Sequence, residues 1–452
     1  MAGRYKAYPE YKDSGIDWIK DIPLNWMVIS LRHLISSIKN GSTETQIEKS
    51  AESVAISRIE TISTGDLNMD KTGFVNPKFI SESFKLKTGD LLLSHINSLS
   101  MVGNVAQVQA KHFIYHGMNL LRLVPKEGVL SRYLYWQLKS DYSRRLIESV
   151  AKPAINQASV STESLKTLQM LCPSLVEQQK IANFLDHETA KIDTLIAKQE
   201  KLIELIQEKR QAVISNAVTK GLNPDVPMKD SGVEWLGEVP EHWDRSRLGF
   251  ECSVKARLGW KGLKADEYVP EGYIFLATPN IKGSDIDFEN VNYITKQRYD
   301  ESPEIMLQEN DLLVTKDGST TGTTNLVRSL PEPATVNSSI AVIRSRGNIH
   351  PEYLYYFFVS TYTQNVIKRM QGGMGVPHLF QADLRWFHIL LPSNIEQKSI
   401  AKYLDIQTAK CDLIIKKATN AIQLMKERKT ALILAAVTGK IDVRDWQPKG
   451  IQ

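Results

Sequence analysis

Two stretches of the chain carry apolar residues at threes and fours. Ile181, Leu185, Ile192, Leu195, Leu202, Ile206 and Val213 form the first set, and Ile400, Leu404, Cys411, Ile414, Ala418, Ala421, Met425 and Leu432 the second. This is the spacing of an amphipathic helix, and neither stretch contains an internal Gly or Pro. Each opens with a capping-box pattern, Ser174 with Glu177 and Ser393 with Glu396, one residue after Pro173 and Pro392. Each closes at a glycine, Gly221 or Gly439. A helix of about 40 residues is roughly 60 Å long, too long to bury its stripe on a small domain alone. The other copy is the obvious partner; packing on the helix's own domain is the alternative.

The remaining sequence reads as strands and turns. VAISRI at Val54, DLLLSHI at Asp90, MNLLRLV at Met118, YIFLAT at Tyr273, DLLVTK at Asp311 and SIAVIRS at Ser339 are short β-forming runs bounded by turn residues. Helical patches follow at Arg132 to Val150 and Pro351 to Met370. Five polar loops are candidates for function: Ser94 to Gly103, Lys152 to Ser159, Arg257 to Lys264, Lys316 to Asn325 and Gly372 to His378.

These features occur twice in the same order. KDSGIDWIKDIPLNW at Lys12 and KDSGVEWLGEVPEHW at Lys229 share seven identities at an offset of 217. GDLLLS at Gly89 parallels NDLLVT at Asn310, and YLY at Tyr133 parallels YLY at Tyr353. PSLVEQQKIANFLD at Pro173 matches PSNIEQKSIAKYLD at Pro392 at eight of fourteen positions, and AVTKG at Ala217 parallels AVTGK at Ala436. Two long copies make a duplicated module, not a solenoid. The predicted fold class is α+β: two strand-rich domains in tandem repeat, separated by two long helices that pair as an antiparallel coiled coil. The expected boundaries are residues 1–172 and 222–391 for the globular domains, 173–221 and 392–445 for the spacer helices, and 446–452 for a tail.

The chain has 452 residues, 42% hydrophobic and 24% charged, which suits a folded, multidomain protein. No apolar run approaches the ~18 residues of a membrane span, and the N-terminal residues lack a signal-peptide core. The expectation is a cytoplasmic protein without membrane contact. Cys172, Cys252 and Cys411 are too few and too far apart for a disulfide framework or zinc knuckle. The net charge of +5 permits nucleic acid without demanding it. Its distribution is uneven: residues 1–172 hold 21 Lys and Arg against 16 Asp and Glu, whereas residues 222–391 hold 17 against 22. If the second domain binds a polyanion, it must gather its cations on one face, for which Arg257, Lys261, Lys264, Lys316 and Arg344 are candidates.

Catalytic constellations are missing. There is no GxxxxGK[ST] phosphate loop, because Gly439-Lys440 is followed by Ile441, and there is no dinucleotide fingerprint or HExxH. An Asn/Asp-Pro-Pro-Tyr-like methyltransferase motif is also absent, and the nine histidines are scattered. Lys316-Asp317-Gly318-Ser319 reads as a turn.

The duplicated KDSG…W segment, the GDLLLS and NDLLVTKDGSTTG strand-loop pair and the paired EQ-helix motifs resemble the specificity subunit of type I restriction-modification enzymes over nearly the whole chain. The first GDLLLS loop departs in lacking the KDG of the second. The resemblance implies a non-catalytic subunit with two target-recognition domains, each reading one half of a split sequence in double-stranded DNA. It also implies two modification (methyltransferase) subunits and restriction/translocase subunits as partners, which carry S-adenosylmethionine, ATP and Mg; no cofactor and no metal are expected on this chain. The alternative is a coiled-coil scaffold or anti-restriction protein that does not read DNA. Loop side chains able to reach base edges or phosphates are His95, Asn97, Asn104, Asn156 and Gln157 in the first repeat. In the second they are Arg257, Lys261, Lys316, Ser319, Thr320 and His378.

Overall fold

In a computed structural model, residues 5–17, 19–99, 101–155, 157–233, 236–257, 263–283, 285–370 and 378–448 are described. Asn156 and Lys261 lie outside them. The chain forms two compact units that are not its sequence halves: Met1–Gln199 with Asn420–Gln452, and Glu200–Thr419.

Both units carry the same four-stranded sheet. In the first, a four-stranded antiparallel sheet runs Ile35–Asn40, Leu120–Pro125, Leu91–Ser94, Val105–Gln107, and in the second Cys252–Lys255, Ile340–Ser345, Leu312–Thr315, Thr324–Leu326. The GDLL-type strand is fully enclosed in each case, with Leu91, Leu92 and Leu93, and Leu312, Leu313 and Val314, at 0% exposure. Continuous apolar runs of this kind are what a strand buried on both faces requires. The helical patches appear as Ser131–Lys139 with Asp141–Val150, and Pro351–Val359 with Thr361–Met370. The mixed α and β content and the tandem arrangement agree with the expected fold class.

The two long helices are Leu175–Lys220 and Asn394–Val437. In the first unit the N-terminal half of one meets the C-terminal half of the other, with Lys429 Nζ 2.6 Å from Asp193 and Arg444, beyond the second helix, close enough to Glu177 to feel its charge. In the second unit Arg210 pairs with Asp412 at 3.4 Å, while Gly221 abuts Glu396. Within each unit the helices therefore run antiparallel. The second helix stops at Val437, short of the expected 445. Lys440 N–H bonds Ala435 O at 2.9 Å and Gly439 N–H bonds Ala436 O at 3.4 Å, with Gly439 at φ 71°, which is a Schellman cap. A Cβ at residue 439 would lie 2.3 Å from Pro23 Cδ, so glycine is required on two counts.

The expected capping boxes form only by half. Ser174 Oγ accepts from Glu177 N–H at 3.3 Å, as Ser393 Oγ does from Glu396 N–H, but neither carboxylate turns back. Glu177 instead accepts from Trp26 Nε1–H at 3.0 Å and Tyr8 O–H at 2.6 Å, and Glu396 accepts from Trp243 Nε1–H at 3.0 Å. The neighbouring glutamines complete the joint. Gln178 accepts from Leu130 N–H and donates to Pro173 O; Gln397 accepts from His350 N–H and donates to Pro392 O. The EQ dipeptide thus ties each long helix to both the opening Trp segment and the start of the YLY helix. The C-terminal segment joins the first unit, where Arg444 pairs with Asp442 and lies over the Tyr8 ring, and Trp446 packs edge-on against Phe184.

Glu177→Ala should lower the stability of the first unit by about 3 kcal/mol, since a buried indole N–H and phenol O–H lose a charged acceptor. Glu177→Gln, which keeps an acceptor oxygen, should cost less. Urea unfolding followed by tryptophan fluorescence compares the two.

Candidate nucleic-acid interface

The turn into each buried strand is locked by its aspartate. Asp90 accepts from Lys87 N–H at 2.6 Å and pairs with Arg122 at 2.6 Å; Asp311 accepts from Gln308 N–H at 2.8 Å and takes both Nε and Nη2 of Arg344 at 2.6 and 2.7 Å. The preceding residues, Gly89 and Asn310, have φ 93° and 72°, which explains why glycine and asparagine alternate there. The strand then delivers the next residue, His95 or Lys316, to the foot of a loop that folds back on itself. Gly103 N–H bonds Ser94 O in the first unit and Gly322 N–H bonds Thr315 O in the second. The carbonyls of His95 and Lys316 are held alike, by Val160 N–H and Leu379 N–H, both at 2.8 Å.

In the first unit the segment Lys152 to Ser159 is not a free loop. Lys152–Ala154 and Gln157–Ser159 form a hairpin whose second strand pairs with Ile96–Asn97, so one three-stranded sheet carries Asn97, Gln157 and, at its edge, His95. Gln157 is exposed and Asn97 half-buried, its Oδ1 accepting from Ser98 N–H. His95 is half-buried, its enclosed Nδ1 has no hydrogen-bond partner among the described residues, and burial pushes its pKa down. Asn104 is not available: it donates to Ser63 O at 3.2 Å and accepts from Arg144 at 3.3 Å. The hairpin tip also presents Ile155, 94% exposed, and Lys152 is exposed at the hairpin's open end, opposite Ser159. Neither was singled out from sequence, because the alternation that marks a hairpin is weak in KPAINQAS.

In the second unit Ser319 and Thr320 are exposed at the tip of the Lys316 loop, and His378 Nδ1 hydrogen-bonds Asp317 at its base. Two sequence expectations fail here. Arg257 is 3% exposed and spends its guanidinium on Val336 O, Ser302 Oγ and Thr335 Oγ1 at 3.2–3.4 Å, so it is a core cation and not a ligand contact. Arg344 is held by Asp311. Lys264 remains exposed.

Comparison with known proteins bears on this pair of loops. Residues 23–205 and 241–424 match the model of the type I restriction modification DNA specificity domain. The chain belongs to this family. The putative MjaX type I restriction enzyme specificity subunit of Methanocaldococcus jannaschii is 31% identical over 430 residues, 94% of this chain and 96% of that protein. The EcoKI specificity subunit of Escherichia coli is 24% identical, covering 86% and 82%. Among solved structures, the HsdS subunit from Thermoanaerobacter tengcongensis aligns with TM-score 0.54 at 14% identity, over 93% of this chain and 98% of that one. A chain from a study of assembly and conformational transition in a type I R-M system reaches 0.68 at 15%, over 93% and 99%. The fold is shared, and the chain is a specificity subunit of a type I restriction-modification system with two target-recognition domains. Among the described residues no helix is long and apolar enough to cross a membrane.

Substitutions should separate framework from surface. Asp311→Ala should cost about 3 kcal/mol by stripping a buried pair of its carboxylate. Gln157→Ala and Ser319→Ala should stay within about 0.5 kcal/mol. Thermal unfolding of the three variants tests the division.

Proposed function

We propose that each unit reads one half of a bipartite target in duplex DNA through the loop that follows its GDLL-type strand, and that the chain itself has no catalytic activity. The observation that carries this reading is the repetition: two different sets of loop side chains, with His95, Asn97 and Gln157 in one unit and Lys316, Ser319, Thr320 and His378 in the other, sit on one framework held by corresponding Asp–Arg and EQ joints. A fixed frame with variable loop residues is what sequence readout by groove contacts requires, while phosphate contacts set register. Asn156 and Lys261 belong to the same proposal from sequence alone.

The chemistry then belongs to partners in the cytoplasm: two modification subunits that use S-adenosylmethionine, and restriction/translocase subunits that use ATP and Mg. Exposed apolar side chains on the long helices support docking of the former. In the first unit Leu175, Val176, Leu195 and Leu424 are 49–74% exposed; in the second, Ile395 is 80% exposed and Leu205, Ile406 and Leu413 are 47–53%. Leu195 and Leu202 were expected to face the other long helix and are instead open, leaving a second apolar side for another helix.

Exchange of residues 1–172 for those of a relative, in a strain that supplies the methyltransferase, should change one half of the methylated motif and leave the other intact. Genome-wide methylation sequencing reads the result, and a change in both halves contradicts one reader per half-site. The purified chain incubated alone with labelled S-adenosylmethionine and duplex DNA should transfer no methyl group.

A further inference from the structure

Among the described residues the most exposed large apolar side chain is Ile155, at 94%. It stands where the first unit's hairpin reverses, since Ala154 pairs with Gln157. Neither turn geometry nor packing accounts for an isoleucine there. Tight hairpin turns favour Gly, Asn and Asp and suit β-branched residues poorly, and a side chain this open adds nothing to a core. It is also solitary on the hairpin, where Lys152, Gln157 and Ser159 are polar and exposed, whereas a face that docks another protein is a contiguous apolar patch.

The surrounding sheet holds this residue out. The hairpin's second strand is tied to Ile96–Asn97 at Ala158 and Ser159, Val160 N–H reaches His95 O at 2.8 Å, and Ala158 is buried. Past Ala158 no described strand joins it, so the tip is the free end of a two-stranded ribbon. The major groove of B-DNA admits a ribbon of this kind. Residues 91–110 and 149–162, the two stretches that build the sheet, contain no Asp or Glu, so neither brings a carboxylate toward the phosphates. Asn97 and Gln157 on the same sheet carry the amides that match an adenine edge.

We propose that Ile155 is a specificity-determining residue that packs on the C5-methyl group of a thymine in the half-site read by the first unit. The assignment rests on the DNA-reading function above and names one base feature that this unit selects. Thymine's methyl is the apolar feature among the base edges of the major groove; the rest are hydrogen-bond donors and acceptors that an isoleucine would desolvate without replacing. Insertion between base pairs is the other use of an exposed apolar tip, but such wedges enter from the minor groove, about half as wide. Val160 and Leu379, whose N–H groups hold the carbonyls of His95 and Lys316, set an offset of 219 between the repeats here. At that offset the second repeat has Met374, again apolar by sequence, although it lies outside the described residues.

The test uses the complex with its methyltransferase subunits, after the exchange of residues 1–172 has assigned one half of the motif to the first unit. Each thymine of that half-site, on either strand, is replaced in turn by deoxyuridine, which removes the methyl and nothing else. At one position the replacement should weaken binding by the wild type about fourfold, the worth of one buried methylene. Ile155→Ala should bind the thymine duplex about fourfold more weakly than the wild type and be indifferent to that same replacement. Its melting temperature should match the wild type's, because the side chain removed is a surface one. A wild type insensitive to every replacement, or a variant that loses no affinity, overturns the assignment. So does a variant weakened equally on the thymine and deoxyuridine duplexes, the result expected of a wedge between base pairs. Failure of the variant to assemble with the methyltransferase overturns it too, as the mark of a protein contact. Absence of any DNA binding by the wild-type complex would sink the DNA-reading function itself, a result distinct from all of these.

Discussion

A carboxylate at the first turn of each long helix, buried at Glu177 and half-buried at Glu396, holds the rest of the structure in place. Glu177 and Glu396 sit where the helix leaves its N–H groups unpaired and its dipole favours a negative charge, so the carboxylate is stabilised before it makes any tertiary contact. It then serves as acceptor for an indole from the segment that opens the repeat, more than 150 residues earlier. The next residue, a glutamine, fastens the globular domain's helix pair to the same turn. Two adjacent side chains therefore fix where the strand-rich domain sits on its helix, and everything the loops can do depends on that junction being rigid.

The second constraint is the aspartate that precedes the buried strand. A strand with no exposed face cannot be steered by solvent, and its position is set by its ends. Asp90 and Asp311 close the turn from within and bind an arginine from the neighbouring strand. This is an expensive arrangement in a low-dielectric interior unless every donor is matched, and the bidentate geometry at Asp311 meets that condition. The outcome is a loop whose root is fixed while its tip is free to differ between repeats.

Much of this was legible in the sequence, for identifiable reasons. The long helices announced themselves through uninterrupted 3.6-residue periodicity, and the GDLL-type strands through apolar runs bounded by turn residues. Duplication turned weak motifs into paired ones. What escaped were the assignments of individual polar side chains. Ser174 and Glu177 have the right spacing for a reciprocal cap, yet local spacing cannot show that a distant Trp and Tyr outcompete the helix's own N–H. Arg257 and Arg344 looked like surface cations because burial of a charge is decided by partners far away in sequence, Val336 and Thr335 for one and Asp311 for the other. Asn104 was lost to the framework in the same way. His95, Gln157, Ser319 and Thr320 fall at a loop's foot or tip, or on an exposed edge, and their side chains make no such framework bond to a described residue.

The composition of the two units has a consequence for synthesis. The unit spanning Glu200–Thr419 is one continuous stretch of chain, whereas the other needs both Met1–Gln199 and Asn420–Gln452. Domains ordinarily complete themselves in the order in which they leave the ribosome. Here that order is inverted: the unit begun first cannot be finished until the last residues emerge, since its helix lacks the Asp193–Lys429 pair and its aromatic patch lacks Trp446 until then. For the time it takes to make residues 200–452, the apolar side of the first helical half stands uncovered. A chain that ends early would release a finished second unit and an open first one.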